Sequence, residues 1–114
     1  MKIFLKQKVI RAPSLLLAAK GRSCVKCGAE DGTIVRAHYS GKGSLRFGKG
    51  TAIKGHDIIA ADLCVRCHTQ FDSHVAGNDY EACWEFLMLC FDTLVRDWRD
   101  NKIGLIGKGK QNER

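Results

Sequence analysis

The sequence predicts a small α+β domain organised around four cysteines, and three observations carry that expectation. Two C-x-x-C pairs, Cys24-Val25-Lys26-Cys27 and Cys64-Val65-Arg66-Cys67, bracket the middle of the chain. Between them, Thr33-Ile34-Val35-Arg36-Ala37-His38-Tyr39 opens on β-branched residues and reads as a strand. Beyond them, residues 78–103 carry apolar side chains at helical spacing. A chain of 114 residues supports one domain with a small core, a size at which a structural metal commonly supplies the missing stability.

Taken in order, residues 1–11 are basic and mixed, an arm or a short strand. Pro13 suits the first turn of a short helix through Ser14-Leu15-Leu16-Leu17-Ala18-Ala19-Lys20, ended by Gly21, with its leucines packed on the core. The first cysteine pair follows, and Gly28 permits the tight turn that aims both sulfurs at one point. In the strand, alternation sets Val35, Ala37 and Tyr39 on one face and Ile34, Arg36 and His38 on the other. From Ser40 to His56 runs a loop with five glycines among Lys42, Arg46, Lys49 and Lys54. A structureless insertion of that length in so small a domain is commonly functional, and this composition suits phosphate contact. Asp57-Ile58-Ile59-Ala60-Ala61-Asp62-Leu63 is an apolar run into the second pair. From Cys64 a helix is expected through Cys67, His68 and Phe71, with Cys64, His68 and Asp72 on one face at four-residue steps.

The long C-terminal helix is expected to start at Asn78, with Glu81 completing a capping box, and to end at Gly104. Its stripe is Trp84, Leu87, Met88, Phe91, Leu94, Val95 and Trp98, a face that a homodimer could bury against a twin. Cys83 and Cys90 flank that stripe as small buried hydrophobes outside any metal site. Residues 1–107 form a single domain in this reading, and 108–114 a disordered basic tail.

Zinc in structural sites takes four ligands tetrahedrally, and Cys24, Cys27, Cys64 and Cys67 make a complete set. The thirty-six residues between the pairs exceed the gap of a simple zinc ribbon, so the insert must fold back or protrude. Three disulfides of a secreted mini-protein are disfavoured by the pair spacing. The lysine-studded N-terminus has no signal-peptide core and no apolar run reaches membrane-spanning length, so a reducing cytoplasm is expected. That setting also argues against haem attachment at Cys64-x-x-Cys67-His68, and two pairs without a βαβ pattern argue against a thioredoxin-type site.

The formal net charge is +7, and four thiolates with one Zn²⁺ would lower it by two, to +5. Either value points to an anionic partner. Hydrolysis of a phosphodiester needs a base to activate water and a cation to stabilise charge on phosphate and leaving oxygen. His38 is the candidate base, and His68, fixed by its neighbour Cys67, the candidate ligand or orienting group. Asp57 or Asp62 would complete the metal site or hold His38 in its tautomer. His56, beside Gly55, is a lesser candidate for phosphate contact, and His74 a lesser second ligand on the helix.

With these residues in view, the chain resembles the HNH, or ββα-metal (His-Me finger), endonucleases. The resemblance rests on Cys24-x-x-Cys27, His38 on a strand, Asp57, and Leu63-Cys64-x-x-Cys67-His68, and spans about residues 11–106. It is closest to small nucleases encoded by phages and prophages, which share the Ala37-His38 pair, the Gly/Lys-rich loop ending in Asp57, and Asp72. The resemblance implies a zinc-stabilised ββα-metal domain with a short N-terminal helix and a long C-terminal amphipathic one. It implies His38 as general base, His68 at the last histidine of the motif, and a catalytic Mg²⁺ or Mn²⁺ near Asp57 and His68. Many such enzymes carry a metal ligand immediately before the base, where this chain has Ala37, and Asp57 stands where they have Asn.

Three readings compete. The first is a metal-dependent DNA endonuclease, phage-derived and acting in the host cytoplasm, whose Lys42, Arg46, Lys49 and Lys54 grip the backbone with low sequence specificity. The second is a non-catalytic zinc-stabilised accessory protein that binds nucleic acid in recombination or replication. A protein-interaction zinc module explains the cysteines but leaves the basic loop without a role.

Overall fold

In the computed structural model, residues 8–49, 54–76, 79–100 and 102–103 are described. Helix α1 spans Pro13–Ala18 and tightens into a 3₁₀ turn over Ala19–Gly21. Strand β1 (Val35–His38) pairs antiparallel with β2 (Ala60–Leu63), and two helices follow, α2 (Val65–Ala76) and α3 (Tyr80–Arg99). The result is α+β, with α3 and α2 covering the two-stranded sheet. Among the described residues no helix is long and apolar enough to cross a membrane.

Pro13 opens α1 because its missing N–H would have no partner there. Only Leu15 of the three leucines is buried; Leu16 and Leu17 face outward, correcting the expectation that all pack inside. A helix of six residues turns one stripe inward, and that stripe is Leu15 and the buried Ala19, four positions on.

In the sheet, Val35, Arg36, Ala37 and His38 pair with Leu63, Asp62, Ala61 and Ala60 in that order. Both faces are covered, so period-two alternation does not separate core from water: Ile34, Arg36, Ala37 and Tyr39 are buried together, while Val35 is exposed. Arg36 is stabilised inside by a two-pronged pairing with Asp97 of α3, at 3.2 and 2.8 Å. Arg22 also reaches Asp97 (2.9 Å) and Asp62 (3.1 Å), and Arg96 reaches Asp62 (3.1 Å).

Asp97 thus neutralises two guanidinium groups that the fold has removed from water. Asp97→Ala is expected to cost roughly 3–5 kcal/mol, because it strands buried positive charge. Asp100→Ala removes only the outer, half-exposed partner of Arg22 and should cost about 0–1 kcal/mol. Urea titrations of both variants check the contrast.

Helix α3 starts one residue later than expected, on Asp79, whose carboxylate accepts the Ala82 N–H at 3.1 Å. The residue three positions beyond this cap is Ala82, so Glu81 does not complete a capping box; Asn78 itself lies outside the described residues. The helix ends at Arg99, short of the expected 103, as the Lys102 N–H turns back to the Asp97 carbonyl at 2.7 Å. Gly104 and the tail 108–114 lie outside the described residues. The buried face is Cys83, Phe86, Leu89, Cys90, Thr93 and Asp97 rather than the tryptophan stripe. Small Cys and Thr side chains let α3 approach β2 closely enough for Thr93 to accept the Asp62 N–H at 3.1 Å.

The basic loop is not structureless. Ser44–Phe47 forms a 3₁₀ turn, Phe47 packs edge-on to Tyr39, and the His56 N–H bonds to the Phe47 carbonyl at 2.7 Å. Gly55 is required at the crossing, since a Cβ there would lie 2.7 Å from the Phe47 carbonyl oxygen. The loop therefore folds back onto β1, and residues 50–53 lie outside the described residues.

Candidate metal centre and histidine cavity

The four paired cysteines converge although they come from two distant segments. Gly28, at φ 82°, closes the first turn with its N–H on the Cys24 carbonyl at 2.9 Å. The Val25 N–H then bonds to the Asp62 carbonyl of β2 at 2.8 Å, docking this turn beside Cys64 and Cys67 at the start of α2. The Sγ atoms of Cys24, Cys27, Cys64 and Cys67 all lie within 4.8 Å of one another, and Cys27 and Cys64 are 3.7 Å apart. Zn–S bonds of about 2.3 Å arranged tetrahedrally set sulfurs about 3.8 Å apart, so these four residues fit a zinc ion.

The electrostatics of the cluster suit a cation. Burial pushes the Cys24 thiol up, but N–H groups of Cys27, Cys64 and Lys26 outweigh it and hold the thiol down, to about 6. Burial, then crowding by the other three sulfurs, raises Cys67 well above its ordinary value. A negative charge on one sulfur disfavours a second on its neighbours, and a divalent ion removes that conflict. Cys83 and Cys90 lie apart from the cluster in the core, where burial pushes Cys90 up to about 12.

A second constellation lies at the far end of the strands. His38 Nε2 is 2.7 Å from Asp57 Oδ1, and the ring is almost covered. Asp57 is buried and accepts two further bonds, from Arg11 (3.1 Å) and the Ala12 N–H (2.6 Å). Burial raises the Asp57 carboxyl, but its bonds from His38, Ala12 and Arg11 prevail and set it below the usual carboxylate range. An ionised Asp57 accepts, so Nε2 carries a hydrogen, and in the neutral ring the lone pair is then on Nδ1.

The cavity beside this pair, about 400 Å³, is lined by His38, His68, Asp72, Lys49 and Lys54 among others. His68 and Asp72 stand one helical turn apart on α2, 3.7 Å between Nε2 and Oδ2. Cys64 does not share their face; it is turned into the sulfur cluster. Lys42 and Arg46 do not line the cavity, and Lys42 instead lies over the Tyr80 ring at 5.2 Å. His56 accepts the Ile10 N–H at 3.0 Å and lies against Gly48, within the loop's own packing. His74 is off the face of His68 on α2, in a separate hollow with Asp79, Glu81 and Glu85.

Of the two aspartates expected to compete, Asp57 meets His38 while Asp62 is held by Arg22 and Arg96. Asp57 has its oxygens committed to His38, Arg11 and Ala12, an orienting arrangement rather than an open ligand. Arg11 is the residue that sequence reasoning overlooked: it bonds Asp57 and the carbonyls of Lys54 and Gly55, joining the N-terminal segment to the loop's end. Its only signal was a basic residue two positions before Pro13. Among the described residues, the four cysteines are the one group of three or more His, Cys, Asp or Glu side chains close enough to share an ion. Comparison with protein-family models, curated proteins and solved structures gave no match.

The Asp57 arrangement has a consequence in acid. Its carboxyl lies below its ordinary value when folded, so it favours folding above about pH 4 and loses that contribution as pH falls through the folded-state value. The Tm gap between the native chain and Asp57→Asn should therefore narrow steadily from pH 5 to 3. A gap that stays constant across a pH series of thermal melts would refute this.

Proposed function

We propose that this protein is a metal-dependent endonuclease of the HNH, or ββα-metal, type, acting on DNA. The observation that carries the proposal is the His38–Asp57 pair at 2.7 Å, set on a cavity that His68, Asp72, Lys49 and Lys54 also line. The order strand, strand, helix over β1, β2 and α2 supports the same reading.

In this reading Asp57 orients His38, and the Nδ1 lone pair takes a proton from the attacking water. The water oxygen bonds to phosphorus as the bridging P–O bond breaks, and the departing oxygen takes up a proton from solvent. Lys49 and Lys54 neutralise the phosphate. His68 and Asp72 would hold a hydrated Mg²⁺ or Mn²⁺, a hard cation that keeps several waters and needs few protein ligands. When bound, it would stabilise charge on the phosphate and the leaving oxygen. Zinc in the cysteine cluster would serve folding alone.

The test incubates the full chain with supercoiled plasmid and a single-stranded circle under Mg²⁺, Mn²⁺ or excess EDTA, beside identically purified His38→Ala. Nicking that requires divalent metal and disappears in the variant supports the proposal. Equal activity in both preparations points to a contaminant or another base. Backbone contacts also call for strong salt dependence and little sequence preference in binding.

One observation favours a second reading, a zinc-stabilised accessory protein that binds nucleic acid without cutting it. Ala37, where a metal ligand would precede the base, is buried and apolar, leaving the cavity with two ligand side chains. In that case neither preparation nicks, and His38→Ala binds DNA as tightly as the native chain.

A further inference from the structure

The outer face of α3 carries an apolar seam that the fold leaves uncovered. Tyr80, Leu87 and Leu94 recur at seven-residue intervals, and so do Trp84, Phe91 and Trp98, interleaved three and four apart. This is the a/d pattern of helix-on-helix packing, sustained over nearly the whole helix. Tyr80, Trp84, Phe91 and Trp98 are between 52% and 74% exposed, and Val95 beside them 59%. The inward face of the same helix is already filled by Cys83, Phe86, Leu89, Cys90, Thr93 and Asp97; of the seam, Leu87 also packs against the core, while the four rings stay outside it.

We propose that this seam is a dimer interface, on which α3 of a second copy of the chain packs antiparallel. Area is the first argument. Aromatic side chains bury about 150–250 Å² when fully covered, so the four rings at their observed exposure offer on the order of 500 Å² per copy. Two copies with the flanking Val95 and leucines remove about 1,200 Å², within the range of stable interfaces.

Charge decides the direction. Glu81 lies in the first turn of α3 and Arg99 in the last, with Glu85 one turn beyond Glu81. Parallel pairing sets Arg99 beside Arg99 and Glu81 beside Glu81, while Glu85 is already paired with Lys26 at 2.8 Å. Antiparallel pairing brings Glu81 toward Arg99 of the other copy and opposes the helix dipoles favourably.

Shape agrees. An apolar hollow of about 420 Å³ lies between Leu94, Val95, Trp98 and Arg99. With Phe91 on the two-fold axis, the hollow receives Trp84 of the other copy, and Arg99 comes over that indole. The surface is self-complementary, so association closes at two copies.

Sedimentation equilibrium of the full chain tests this up to about 100 µM, above the micromolar limit typical of interfaces this size. The expected result is a monomer–dimer equilibrium, with tryptophan emission shifting red on dilution because both tryptophans lie in the seam. Trp98→Glu should weaken the dimer at least about thirty-fold, as loss of an interface hot spot does. Should that variant lose its helical signal, Val95→Lys supplies the same readout from a neighbouring exposed site. Arg99→Glu should weaken association several-fold at low salt, since it turns attraction into repulsion only in the antiparallel order. A monomer throughout the range, a dimer indifferent to both Trp98→Glu and Val95→Lys, or growth beyond two copies overturns the proposal. Unchanged association of Arg99→Glu overturns the antiparallel order.

Discussion

Replacing Cys64 with serine is expected to leave the chain without a cooperative thermal transition and without bound metal. The expectation follows from size and geometry together. The sheet has two strands of four residues each, a ladder that is marginal by itself. A structural zinc site contributes on the order of 10 kcal/mol at neutral pH, comparable with the whole net stability of a typical domain. Serine offers no thiolate, and the three sulfurs that remain leave the shell open. Cys24→Ser should behave alike, and excess chelator should do the same to the native chain. Metal analysis at one ion per chain, with circular-dichroism melts of the three preparations, checks this. A melt indifferent to both substitution and chelator would exclude a structural metal.

The second large effect is expected in activity. If the proposed function holds, His38→Ala should lower metal-dependent nicking by about 10²–10⁴-fold, the range a positioned general base contributes. Truncation also takes one of three bonds from buried Asp57, so some loss of Tm is expected and nicking is compared well below the variant's own melt. Asp57→Asn is the informative companion. Its amide nitrogen can donate to Nε2, which would favour the tautomer with hydrogen on Nδ1 and remove the acceptor the reaction needs. That variant should therefore lose activity through the same histidine while His38 is still present. Activity unchanged in Asp57→Asn would remove the orienting role from this carboxylate, whatever His38→Ala does.

How far this was legible in the sequence depends on the range over which each contact is encoded. The cysteine pairs were legible because C-x-x-C holds both sulfurs in one turn, and two such turns have little else to do than meet. The existence of β1 and of the helices followed from local pattern, whereas the partners of His38 did not. The inward face of α3 did not. Periodicity pointed to the tryptophan stripe, while the core took Cys83, Phe86, Cys90, Thr93 and Asp97, which share the seven-residue spacing but include a polar and a charged residue. What decides between the two faces is Arg36 and Arg22, distant in sequence and invisible to any window of α3. Arg11 was missed for the same reason, since its partners lie more than forty residues away. The choice between Asp57 and Asp62 likewise needed the register of β2, which sets Asp62 opposite Arg36 and leaves Asp57 beyond the strand's end.

The Val25–Asp62 bond between the first cysteine turn and β2 makes the sulfur cluster something more than a source of stability. Two four-residue strands joined by a long connection share few ladder bonds, so their register rests on contacts outside the sheet, among them Arg36–Asp97, Asp62–Thr93 and this one. A slip of a single residue would reverse the facing of every side chain and carry His38 away from Asp57. The cluster grips β2 at its Cys64 end, while the histidine pair forms beside its Ala60 end, about 10 Å along the chain. It therefore works as an alignment pin at one end of a short ruler whose other end sets the histidine. Chains whose cluster is left open would recover helix on refolding and still read that ruler wrongly, with His38 intact but out of reach of Asp57.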